Sequence, residues 1–128
     1  MAKLVHDNVL DAALQYLEDN ADWISVCEGA PTTYENAHSN KGTGAGKALA
    51  NDTPAFTGPG EGDGGGRKTT VDEAADITVD VSGAADHIAL CDVGSTLLLY
   101  VTTCTEQALV AANTVTIPAW DIEIGDPT

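Results

Sequence analysis

Gly42-Thr43-Gly44-Ala45-Gly46-Lys47 is the segment of this 128-residue sequence that comes nearest to a phosphate-cradling loop. The Walker pattern needs Gly at 41 and Ser or Thr at 48, where Lys41 and Ala48 stand, and no apolar strand leads into it. Nucleotide binding is therefore not expected. Glu61-Gly62-Asp63-Gly64-Gly65-Gly66 resembles part of a calcium turn, but it neither repeats nor completes an EF-hand spacing. A flexible turn is the simpler reading, with a weakly held cation at Glu61 and Asp63 as the alternative. His6, His38 and His87 have no partners at metal-ligand spacing, so no metal or cofactor is expected. Cys27, Cys91 and Cys104 read as small apolar strand residues, odd in number and far apart. No acid–base pair stands out among 20 Asp and Glu, and the chain is not expected to be an enzyme.

Charge is distributed unevenly. Net charge is −15, and from Thr69 to Thr128 there is no Lys or Arg while ten Asp and Glu occur. Such a surface repels phosphate backbones and anionic lipid, so neither nucleic acid nor membrane is an expected partner. Four of the five basic residues, Lys41, Lys47, Arg67 and Lys68, lie in or beside one glycine-rich segment. The plain reading is that polar loops collect charge. The sharper one is an arm that docks on acidic surface, including that of its own copies, through these four residues and Phe56.

These residues must be positioned by a small core. Of the 43% hydrophobic residues, 19 are Ala and 3 are Cys, which leaves 33 large apolar side chains. Oligomerisation or docking on a larger assembly would supplement such a core. A single domain, 1–128, is expected. Residues 4–19 read as an amphipathic helix with Leu10, Ala13, Leu14 and Leu17 on one face, Val9 widening it, and Asp7 as N-cap. Residues 23–28 alternate as a strand. Residues 29–66 hold ten of the thirteen glycines and few large apolar residues, and are expected to form a long Gly-rich arm or loop. Residues 67–126 read as a β module. In it Asp92-Val93-Gly94-Ser95 turns a hairpin that sets Cys91 opposite Thr96 and His87 opposite Tyr100. The last strand pair is 114–117 with 119–124. The fold class is mainly β: an antiparallel β-sandwich or barrel with one N-terminal α-helix. Met1-Ala2-Lys3 shows no secretory leader, and no run approaches a membrane span.

Several strings together resemble small accessory virion proteins encoded among the structural genes of tailed bacteriophages. They are His87-Ile88-Ala89-Leu90-Cys91-Asp92, Leu97–Thr103, Gln107-Ala108-Leu109 and the closing Asn113–Asp126. Leu4-Val5-His6-Asp7, Pro31-Thr32-Thr33-Tyr34 and Gly66-Arg67-Lys68 are similar too, whereas residues 36–60 are not distinctive. The resemblance implies a virion component without catalysis, made in the host bacterial cytoplasm. It favours a capsid decoration (cement) protein on the capsid surface that binds the major capsid protein as a homo-oligomer, with a trimer favoured. A tail tip, collar or fibre-base subunit is the alternative. A calcium- or carbohydrate-binding β module is the reading from outside the virion.

Overall fold

The computed structural model describes residues 4–39, 41–44 and 46–126. Helix α1 (Asp7–Asn20) precedes strand β1 (Trp23–Glu28), a short helix α2 (Tyr34–His38), and strands β2 (Lys47–Asp52) and β3 (Phe56–Glu61). Then follow β4 (Arg67–Val71), β5 (Ala74–Thr78), β6 (Gly83–Asp92), β7 (Leu97–Leu109), β8 (Thr114–Ile117) and β9 (Trp120–Ile124). The chain is mainly β and wholly antiparallel in its named strand pairs. One sheet runs β2-β1-β6-β7, a second β3-β4-β9, and β5-β8 form a third. A bridge between Ala50 and Val79 joins β2 to the chain just after β5. The sheets pack as a sandwich and do not close into a barrel.

Helix α1 presents Leu10, Leu14 and Leu17 to the core, at the spacing that puts residues on one helical face. Leu14, Ile24, Val26, Leu49, Val71 and Leu90 belong to one core cluster that draws on both larger sheets. Ala13 and Val9 lie outside that stripe, Val9 with 62% of its surface exposed, so the buried face is narrower than expected. The N-cap is His6 rather than Asp7: its Nδ1 accepts the Asn8 backbone N–H at 3.0 Å. The helix runs through Asn20, which donates its side-chain amide to the Tyr16 carbonyl.

Residues 29–66 correct the expectation of a long arm. They contain α2, β2 and β3, and β2 pairs along β1 with Ala48, Leu49 and Ala50 fully buried. A strand needs backbone partners more than bulky side chains, so alanines serve where two layers approach closely. Two of the glycines have the same cause. A Cβ on Gly46, at φ +71°, would come within 2.5 Å of the Ala30–Pro31 backbone, and one on Gly42 within 2.8 Å of Val81.

Strand β1 is therefore covered on both faces. Ile24 and Val26 enter the main core, while Cys27 joins Ala37, Ala48, Ala89 and Cys91 in a second cluster under α2. The register of β6 and β7 also differs from expectation. Leu90 faces Tyr100 and His87 faces Thr103, because β7 bulges at Leu99 and again across Cys104–Glu106. Beyond the second bulge Gly83 pairs with Leu109. Strands β8 and β9 pair with β5 and β4, not with each other. Alternation in β9 is as expected, with Ile122 buried and Asp121 and Glu123 exposed.

Candidate functional site

Each of the four basic residues at 41, 47, 67 and 68 meets a carboxylate of its own chain. Lys41 Nζ lies 2.7 Å from Asp80, and Lys47 Nζ 3.2 Å from Glu28. Lys68 bridges Asp63 at 2.8 Å and Asp121 at 3.3 Å. Arg67 is the most enclosed, its side chain 15% exposed. It donates from Nε and Nη2 to both oxygens of Asp11 at 2.7 and 3.2 Å, and from Nη1 to Glu61 at 3.0 Å. This two-pronged bond to Asp11 holds the guanidinium charge still more firmly than usual, and Asp63 followed by Asp121 does the same for Lys68. The contrast between basic segment and acidic skin is thus met inside the chain, tying α1, β3, β4 and β9 together. Phe56 is half-buried against the main core, opposite Val71.

The Glu61–Gly66 turn joins the same network. The Gly62 N–H donates to the Gly66 carbonyl at 3.1 Å, Glu123 accepts the Asp63 N–H at 2.8 Å, and Asp126 accepts the Gly66 N–H at 3.1 Å. Its carboxylates face Arg67 and Lys68. Among the described residues no group of three or more His, Cys, Asp or Glu is placed to hold a metal ion. The Gly42–Lys47 loop leads into strand β2 rather than a helix, so it lacks the helix N-terminus that a phosphate loop offers.

Histidines and thiols have structural surroundings. His38 stacks on Tyr34, ring centres 4.8 Å apart, and tilts against Trp23 at 4.2 Å. The Trp23 indole N–H donates to the Ala37 carbonyl, which anchors α2. His87 pairs with Asp86 at 2.7 Å, and Asp86 also accepts the Gly29 N–H. These two bonds, His87 first, hold Asp86 below the usual carboxylate range. Burial pushes the Cys27 thiol up to about 11 and that of Cys91 to about 12, and raises Cys104 too. None of the three is poised as a thiolate nucleophile.

A second region has no charge to satisfy. From Val93 to Trp120, 28 residues, the single charged side chain is Glu106. This stretch includes β7 and β8, and both end their sheets: among the described residues β7 pairs with β6 alone and β8 with β5 alone. Between them the sandwich opens into a cavity of about 500 Å³. Its inner wall is apolar, with Val26, Ile88, Leu109, Val115 and Ile117 buried. Its mouth carries Thr103, Thr105, Gln107, Thr116 and Pro118, all exposed and uncharged. Trp120 lines it too, and its buried indole N–H has no hydrogen-bond partner among the described residues. Leu97, the first residue of β7, and Val110, just past its end, are 45% and 57% exposed. Such a surface is suited to desolvation against another polypeptide.

Sequence reasoning looked to the basic residues and did not single out this face. The signal was present as a missing one: acids as well as bases vanish over residues 107–120. Compared with protein-family models, curated proteins and solved structures, the chain matches none.

Proposed function

We propose that the chain is a non-enzymatic structural protein of a tailed-bacteriophage particle, a head decoration protein that docks on the assembled shell and braces neighbouring subunits. The resemblance of several strings to accessory virion proteins is what suggests the particle. The observation that carries docking is the β7–β8 face, with Glu106 as its single charge, on a body of net charge −15. Charge depletion at the centre of a patch, with a charged surround, is the pattern of protein–protein interfaces. Contacts repeated over a symmetric shell add, so each can be modest.

The test is addition of purified protein to particles that lack it, followed by sedimentation and quantification of bound copies. Decoration predicts hundreds of copies per particle and restored resistance to heat or low salt. A few to dozens would assign the protein to the tail, and no binding would remove both readings. Heat released on titration with calcium or glycans alone would favour the small-ligand module.

A further inference from the structure

Strand β7 is the unusual element. Exposed sheet edges in natural proteins are protected by Lys, Pro, bulges or a covering segment. Over its thirteen residues β7 has no Lys and no Pro. Bulges bracket it at Leu99 and Cys104–Glu106, leaving Tyr100–Thr103 as a regular ladder against His87–Leu90. The outer side of that ladder is a row of backbone donors and acceptors with no strand beside it among the described residues. Next to it lie the apolar cavity and the Trp120 indole N–H, which has no partner among those residues. A buried donor without an acceptor is costly, and a peptide carbonyl is the natural group to relieve it.

We infer that the β7–β8 cleft is a strand-addition site for an extended segment of a partner protein. Backbone pairs form along Tyr100–Thr103, an apolar side chain enters the cavity, and a carbonyl accepts from Trp120 Nε1. Electrostatics define the segment. Its central residues are uncharged, because the mouth offers no counter-charge and burying an unpaired ion is expensive. Its flanks are basic, because the surrounding body carries −15 and steers cations toward the cleft. The same charge argues against a second copy, which would bring −15 to −15. The inference rests on the docking reading above and names the chemistry of the docked segment.

The probe is a nine-residue peptide with two lysines at each end and five alternating valines and threonines between them. It is titrated into the ¹⁵N-labelled full chain. The two indole signals serve as reporter and reference, since Trp23 already donates to Ala37 at 3.2 Å. The Trp120 indole is expected to shift while the Trp23 indole stays, and amides of Tyr100–Thr103 are expected to gain exchange protection. Thr103→Lys and Trp120→Phe, each checked for an unchanged melting profile, are expected to weaken binding about tenfold. No Trp120 shift at ~1 mM peptide, a level where even weak complexes register, overturns the inference. So does equal binding of the peptide with glutamates in place of lysines, or a dimer whose β7 amides are already protected. The docking reading is separable. If Thr103→Lys abolishes peptide binding yet decorates particles normally, the strand site is not the dock and the inference fails alone. If the peptide binds but no particle does, the site stands and the decoration reading falls.

Discussion

The two ends of this sandwich handle charge in opposite ways. Around β4, Arg67 and Lys68 gather Asp11, Glu61, Asp63 and Asp121 into a clasp across three strands and the helix. Around β7 and β8, 28 residues carry one charge and present a free strand edge. Lys41, Lys47, Arg67 and Lys68 thus fasten the chain to itself, whereas the β7–β8 end is left nearly without charge. Arg67 has many partners but 15% exposure, whereas Thr103 is exposed and makes no side-chain hydrogen bond among the described residues. The first has much to lose on mutation and little to offer a partner. The second is the reverse.

Arg67→Ala should have the largest effect. It strands Asp11 and Glu61 near Asp7 with no cation between them, which costs more than the pair itself is worth. We expect the melting temperature to fall by on the order of 5–10 °C. Urea denaturation should show the same loss, greatest at low salt where carboxylate repulsion is unscreened. An unchanged midpoint would mean that the clasp is ornamental. Thr103→Lys should do the opposite, holding stability within about 0.5 kcal/mol, as at most exposed positions. Its effect should appear in particle sedimentation, as a loss of binding of at least about tenfold. If Arg67→Ala lost binding at unchanged stability, the roles of the two regions would be exchanged.

Acid separates the two regions by pH. Asp121 is held below the ordinary range by the Thr70 hydroxyl and Lys68, Asp86 by His87 and the Gly29 N–H, and Glu28 by the Ala84 N–H and Lys47. For a carboxylate with a lowered folded-state pKa, the stabilisation is present above its unfolded value. It disappears as pH falls through the folded value. The stability contributed by these three should therefore be lost below about pH 4. Fluorescence-monitored denaturation of Asp121→Asn across pH 2–7 should give a flatter acid limb than the parent. The β7–β8 face takes no part in these bonds, so Asp121→Asn should leave peptide binding at neutral pH unchanged.

Much of the sandwich was legible because alternation is a strong signal: Ile77 and Val79, and again Val115 and Ile117, are buried two positions apart. Strand β2 was not. Ala48 and Ala50 look too small to anchor anything until β1 and Val79 are seen against them. The short helix α2 carried a faint signal, Thr33 capping the Asn36 N–H at 3.2 Å, easily lost among glycines and prolines. The β6–β7 register depends on two bulges set by packing, which no turn motif encodes. The clasp was invisible for a different reason: Arg67 and Asp11 are 56 positions apart, and a sequence of −15 offers too many acidic partners to choose among.

The smallest expected effect tests whether the charged end is fully compensated. Glu18 on α1 accepts the Thr69 hydroxyl at 3.1 Å through one carboxylate oxygen, while the other is buried without a partner among the described residues. Desolvation, outweighing the Thr69 bond, lifts its pKa above the ordinary range, with Asp19 adding to the rise. The sign is opposite to that of Asp121. A raised acid pKa means that the folded state holds its proton longer, so this group subtracts stability as pH rises through and past its folded value. Glu18→Gln removes the ionisation while keeping an acceptor for Thr69. Its melting temperature should exceed the parent's by about 1–2 °C at pH 7, a surface-scale effect. The difference should vanish below about pH 4, where the parent's Glu18 is protonated. A destabilised Glu18→Gln at pH 7 would show instead that the carboxylate belongs to the clasp, extending the fastening from Arg67 across the helix to Thr69.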